Sequence, residues 1–470
     1  MRKSLQIING FQILLLALLI GYSQTCDWIQ TGSSGWDKVP EILKNIRPPD
    51  FPDRDFIITD FGAIGDANFD CTDAFRKVIK SCHDAGGGYV IVPAGTYLTG
   101  AIHLQDNVCL HIDSAATILF SQDPRKYLPV VFTRFEGLEC MNYSPFIYAF
   151  DKENIAITGK GTLDGQADTS CWWTWAGNTV YGWRQNSPCQ ITDRNTLMQM
   201  VEENTPVQNR IFGEGHFLRP SFIQFYRSKN ILVEGINIKR SPMWEIHPVL
   251  CENVTVRNIN IDTHGPNNDG CNPESSKNVL ISNCRFDTGD DCIAIKSGRN
   301  GDGRRINVPS ENIIIRDCVM RDGHGGVVIG SEISGNCRNV FAENCRMDSP
   351  NLERAFRIKT NSLRGGIVEN IYMRKVIIGK VSDAIIRINF QYEEGDVGSY
   401  TPIVRNIYIN DIISHESMYA LALDGYARSP ISNVQLENCQ FNGVKETNIL
   451  NNVSGLKMKN TSINGILQGQ

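Results

Sequence analysis

One nine-residue pattern constrains what this chain can fold into more than any other feature of it. The pattern is Asn, aliphatic, any residue, aliphatic, two mostly polar positions, Cys or aliphatic, any residue, apolar. It reads NILVEGINI from Asn230, NVTVRNINI from Asn253, NVLISNCRF from Asn278 and NIIIRDCVM from Asn312. It returns as NVFAENCRM from Asn339, NIYMRKVII from Asn370, NIYINDIIS from Asn406 and NVQLENCQF from Asn433, with a weaker copy, NIAITGKGT, from Asn154. From Asn230 onward the starts lie 23, 25, 34, 27, 31, 36 and 27 residues apart. The aliphatic residues alternate within each copy, as in a strand with one buried face. No strong helical period separates the copies. Short strands that return once per repeat, bounded by Gly, Asn, Asp and Pro, predict an all-β parallel β-helix with one coil per repeat.

Stacked coils pair their strands along the axis at a spacing of ~4.8 Å, so equivalent side chains form ladders. The leading Asn is then expected to serve the fold, its amide satisfying backbone groups at a bend that water does not reach. Cys284, Cys318, Cys345 and Cys439 share one repeat position, which predicts a row of buried thiols. The 15 cysteines are odd in number and evenly scattered, unlike a disulfide framework. No CxxC or HxxxH spacing points to zinc, and no metal or other cofactor is expected.

Composition removes other classes. The 470 residues carry 46 Lys and Arg against 51 Asp and Glu, a net charge of −5, with 41% hydrophobic residues. Disorder, collagen and coiled coil all need a stronger bias. A mildly acidic chain without basic runs argues against nucleic acid as a partner. Arg2 and Lys3 precede an apolar run over residues 11–21, followed by Gly21, Ser23 and Thr25. This reads as a signal peptide over residues 1–25 and a secreted protein, because the run is shorter than the ~20 residues a membrane span needs. Thr25 fits a lipobox poorly, which disfavours a lipid anchor on Cys26. The expected organisation is an N-terminal extension over 26–58 and one β-helix domain over 59–470, acting as a monomer with no membrane span in the mature chain.

A β-helix must cap its open ends. Residues 72–82 place Ala74, Phe75, Val78, Ile79 and Cys82 on one helical face and supply an N-terminal cap. An insertion of roughly residues 166–228 holds Trp172, Trp173, Trp175 and Trp183, four of the seven Trp. Their expected role is to pack the insertion onto the body.

Four consecutive coils each carry a polar cluster: Asn267-Asn268-Asp269-Gly270, Gly289-Asp290-Asp291, Gly323-His324-Gly325 and Arg357-Ile358-Lys359. Their offsets from the leading Asn are similar, which puts them on one side of the solenoid. Three neighbouring carboxylates repel, so at least one pKa should rise toward that of a working acid. One protonated and one ionised Asp is what cleavage of a glycosidic bond requires. His324 can hydrogen-bond the acid and maintain its protonation. Arg357 and Lys359 alternate around Ile358, so both face outward. They read either as an exposed ion-pair network, worth little to stability, or as receivers of a substrate carboxylate.

These clusters, with SPMWEI at residues 241–246, resemble the signature of glycoside hydrolase family 28, the polygalacturonases, over about residues 60–460. The family pattern is Asn-Thr-Asp, Gly-Asp-Asp, Gly-His-Gly and Arg-Ile-Lys; this chain has Asn268 where the family has Thr. The resemblance implies a right-handed parallel β-helix that hydrolyses α-1,4-galacturonosidic bonds in pectin or polygalacturonate with inversion and without metal. It implies Asp290 as general acid, Asp269 and Asp291 activating water, and His324 supporting the acid. Arg357 and Lys359 would bind a galacturonate carboxylate, with Tyr392 and Asn267 as further substrate contacts. NPES at 272–275 and GSEISG at 330–335 resemble the exo-acting bacterial or plant-type members. The rival readings are a hydrolase of rhamnogalacturonan or xylogalacturonan, a calcium-dependent pectate lyase, and a non-catalytic carbohydrate-binding β-helix.

Overall fold

A computed structural model describes residues 35–469 of the chain. The expected signal peptide over residues 1–25, Cys26 and the first part of the expected N-terminal extension lie outside the described residues. Among the described residues no helix is long and apolar enough to cross a membrane.

The repeat becomes a parallel β-helix whose coils each contribute up to three strands. The leading Asn opens the first, as in Lys277–Ser282, Ser310–Arg316 and Cys337–Glu343. A bend leads to the second, as in Asn260–Thr263 and Arg285–Thr288. The third forms Ile293–Ile295, Val327–Gly330, Arg354–Lys359 and Ala384–Asn389 in successive coils. Pairing between coils is parallel and in register. Ile231, Val254, Val279, Ile313, Val340, Ile371, Ile407 and Val434 form one ladder on the first face. Ile293, Val327, Phe356, Ile386 and Leu421 form another on the third. All of these side chains are buried. Each apolar residue therefore packs on its counterparts above and below, and this stacked apolar column is the core.

The leading asparagines are structural, by a different route from the one expected. Asn230, Asn253, Asn278, Asn312, Asn339, Asn370, Asn406 and Asn433 all have φ between 53° and 60°, the left-handed region. Asn tolerates that conformation better than other non-glycine residues. Their amides bond mainly to one another along the axis rather than to backbone. Asn230 Nδ2 donates to Asn154 Oδ1 at 3.0 Å, Asn253 to Asn230 at 2.7 Å, Asn339 to Asn312 at 3.1 Å and Asn433 to Asn406 at 2.8 Å. The four repeat cysteines are buried free thiols, as expected.

The capping helix spans Thr72–Asp84 and buries Ala74, Phe75, Val78, Ile79 and Cys82. The first paired strand, Asp55–Ile57, joins Gly88–Val92, so the solenoid starts a few residues before position 59. The insertion contains the helix Gln190–Glu202 and returns to the sheet at Ile223–Tyr226, earlier than residue 228. Trp172 is fully buried, with ring contacts to Tyr127, Phe146 and Trp175 at 5.4, 5.6 and 4.9 Å. Trp173 Nε1 donates to the Ser241 carbonyl at 2.8 Å. The indoles thus fasten the insertion to the body just ahead of the polar coils.

The asparagine ladder generates a test. Asn312 donates to Asn278 Oδ1 and accepts from Asn339 Nδ2, both at 3.1 Å, with φ 59°. Asn312→Ala should destabilise the protein by about 2–4 kcal/mol, summing left-handed backbone strain and two lost hydrogen bonds. Asn312→Gly should lose only the hydrogen-bond part, and denaturant titration of both variants checks the difference.

Candidate active site

Parallel register brings the four clusters together. Ile293 pairs with Val327 and with Cys271, so Asp269 and Asp291 lie at one level on successive coils, and Asp290 stands beside His324. On the next strand Ile358 points into the core while Arg357 and Lys359 point out. Asn268, where Thr was the family expectation, is fully buried. Its Oδ1 accepts from Thr263 Oγ1 at 2.5 Å and Gly265 N at 2.7 Å, and its Nδ2 donates to the Ser241 and Met243 carbonyls. It pins the loop that carries Asp269.

The three carboxylates sit in different environments. His324 Nδ1 is 3.0 Å from Asp290 Oδ1, which also accepts from Asp291 N at 2.9 Å. Burial pushes the Asp290 carboxyl up, but the His324 hydrogen bond and charge, with Lys359 and Lys296, bring it below the usual carboxylate range. Its partner responds oppositely: the hydrogen bond and charge of Asp290 push the His324 imidazole up to about 9. Asp269 is driven well above its ordinary range by burial and then by the negative charge of Asp290, against the opposing Lys296. Of Asp269 and Asp290 the raised carboxyl is therefore Asp269, whereas the acid that the resemblance implies is Asp290. Both shifts of the Asp290–His324 pair run the same way: they favour an ionised Asp290 facing a protonated His324.

Asp291 is fully buried, with Lys359 Nζ 2.7 Å from Oδ2 and Arg357 Nη1 3.8 Å from Oδ1. Both cations are buried as well, so an exposed ion pair is the wrong description. Arg357 Nε is a buried donor with no hydrogen-bond partner among the described residues. Tyr392 lies beside both cations, its ring centroid 5.2 Å from each. Asn267 is half-buried in the left-handed region and accepts from Arg219 Nη2 at 2.7 Å.

Sequence reasoning missed Lys296, Glu332 and Glu245. Lys296 Nζ lies 3.5 Å from Asp269 Oδ2, 3.0 Å from Glu332 Oε2 and 4.4 Å from the centroid of Trp244. Burial opposes its charge, and Glu332 with Asp269 outweighs that, so it remains an ammonium. Glu245 is fully buried, and burial with the charge of Asp269 raises its carboxyl. Lys296 was within reach of the alternation rule, since it follows Ile293-Ala294-Ile295 at the next outward position.

This is the arrangement of a glycoside hydrolase: paired carboxylates for acid and base on one face of a β-helix, with cations beside them. The sequence model for glycosyl hydrolases family 28 matches residues 213–462. The chain belongs to that family. The structure is similar to that of a hyperthermoactive exopolygalacturonase from Thermotoga maritima, with TM-score 0.90 and 48% identity, covering 93% of this chain and 97% of the other. The chain is 25% identical over 452 residues to an exo-poly-alpha-D-galacturonosidase of Dickeya chrysanthemi, covering 88% of this chain and 71% of the relative. It is 27% identical over 353 residues to a polygalacturonase of Gossypium barbadense, covering 73% and 71%.

The Asp290–His324 pair carries a pH test. A histidine raised from 6.5 to about 9 contributes stability that is complete below pH 6.5 and lost as pH rises through about 9. An NMR titration of His324 should show a midpoint near 9, returning toward the ordinary value in Asp290→Asn.

Proposed function

We propose that the enzyme hydrolyses α-1,4-galacturonosidic bonds of polygalacturonate with inversion, releasing galacturonate or its dimer from the non-reducing end. The observation that carries this reading is the placement of Asp269, Asp290 and Asp291 within two coils, with His324 against Asp290 and Lys359 and Arg357 against Asp291. Support for the substrate comes from the 48% identical exopolygalacturonase and from the Arg357 and Lys359 cations beside Asp291, the charge that a uronate carboxylate would meet. Secretion through residues 1–25 fits action on an extracellular polymer and belongs to the same proposal.

In this mechanism the acid is Asp290 recharged by His324. Part of what holds Asp290 ionised is the charge of Lys359 and Lys296. A substrate carboxylate beside Lys359 offsets that charge, and the proton passes from His324 Nδ1 to Asp290 across their 3.0 Å contact and on to the leaving oxygen. With Asp290 neutral, Asp269 keeps its burial but loses a negative neighbour that raises it, so it can release its proton to solvent and then, with Asp291, take one from the attacking water. Substrate charge thus arms acid and base together.

Release of new reducing ends from polygalacturonate tests the activity, and NMR of the first product should show the inverted anomer. Asp290→Asn should lower kcat by at least ~100-fold in a folded protein. Asp269→Asn and Asp291→Asn should do the same, since the three act as a unit. Lys359→Met should raise KM and also destabilise the protein by about 3–5 kcal/mol, because Asp291 is left buried without its partner. Early products should be monomer or dimer with slow loss of viscosity; a ladder of mixed oligomers with a fast viscosity drop would show endo action.

A further inference from the structure

Arg219 is a buried cation without a counter-ion. Its side chain has no exposed surface, and no carboxylate oxygen among the described residues lies within 4.0 Å of it. Its partners are all neutral: Gln190 Oε1 at 3.0 Å, the Pro242 carbonyl at 3.0 Å, the Pro266 carbonyl at 2.6 Å and Asn267 Oδ1 at 2.7 Å. Glu136, Tyr181 and Asp290 act on it only at longer range, and burial brings it down to about 10, which still leaves it charged at neutral pH. A buried charge without a counter-ion is costly to retain.

The four acceptors show what the residue joins. Gln190 belongs to the insertion, Pro242 to the strand connection ahead of Trp244, and Pro266 and Asn267 to the loop that carries Asp269. A guanidinium offers donors and no acceptor, so the Asn267 side chain must turn its oxygen toward Arg219. Its Nδ2 then points away, has no protein acceptor among the described residues, and belongs to a half-buried side chain two positions from Asp269.

We propose that Arg219 is a positioning residue through which the insertion presents the Asn267 amide to an acidic sugar, adding a positive charge at that end of the site. The guanidinium does not touch the ligand. It sets which end of Asn267 does, and its field favours a carboxylate over a neutral sugar there. This rests on the uronate reading above and deepens it by assigning a second acid-reading position apart from Arg357 and Lys359.

Asn267→Asp separates this role from a purely structural one. An aspartate there gives Arg219 the counter-ion it lacks, so the fold should be as stable as wild type or more so. The same change replaces an outward amide donor with an anion. Digalacturonate binding, measured by calorimetry, should weaken by at least tenfold, and KM for polygalacturonate should rise with kcat changed less. Unaltered affinity in a folded Asn267→Asp protein would overturn the inference while leaving the hydrolase reading intact. A wild type that releases no reducing ends would instead defeat the hydrolase reading, and calorimetry would still decide the inference, since failure of wild type to bind digalacturonate overturns it. Arg219→Lys, which keeps charge but cannot hold four acceptors at once, should also weaken binding; wild-type affinity in that variant would remove Arg219 from the role.

Discussion

In-register parallel pairing between coils is the constraint on which everything else in this molecule depends. Residues 20 or more apart in sequence become neighbours about one strand spacing apart whenever they occupy equivalent positions. The same rule stacks Ile293 on Val327 and Phe356 in the core and sets Asp290 beside His324 on the surface. A one-residue slip of any coil would turn its core residues outward, so register is held by the apolar ladders. The site inherits this rigidity: its carboxylates project from coil edges whose neighbours are fixed above and below.

Rigidity allows the site to hold charges that water would otherwise separate. Asp291, Lys359, Lys296 and Glu332 are all buried, and each is paired with opposite charge. Such pairs add little net stability against an apolar substitute, yet removing one member strands the other. The network therefore makes best sense as a chemical device. It keeps three carboxylates close while leaving their proton distribution sensitive to one further negative charge. An uncharged sugar would not disturb Lys359, and the proton would remain on His324.

How much of this was legible in the sequence follows from which interactions obey periodicity. The coils, the capping helix face, the buried thiols and the outward pair Arg357 and Lys359 all follow from alternation and repeat position, and the structure places them so. The asparagine ladder was visible as a repeat, but its bonding was not, because a left-handed backbone and side-chain pairing along the axis leave no local pattern. Depth was the other hidden quantity. Polar residues on an outward row looked exposed, whereas Asp291, Arg357 and Lys359 are buried, and Lys359 and Asp291 form a buried pair. Which carboxyl would rise was not legible either: burial raises both Asp269 and Asp290, and His324 is what brings Asp290 down.

The charge balance of the whole chain bears on how an acidic polymer is admitted. The protein carries a net charge of −5, so long-range attraction does not bring in an anionic substrate. Selection has to act within the site, over distances short compared with the ~8–10 Å screening length of ordinary salt. Arg357, Lys359, Lys296 and Arg219 supply that short-range field from positions removed from water, where it is screened least. Three of the four are tied to carboxylates of the site, and Arg219 is held by neutral acceptors alone. An acidic sugar entering here exchanges the hydration of its carboxylate for charge already oriented by the fold, and at the same moment perturbs the proton balance that the chemistry uses. On the proposed mechanism recognition and activation draw on the same few buried cations, and a neutral sugar of the same shape would lose both.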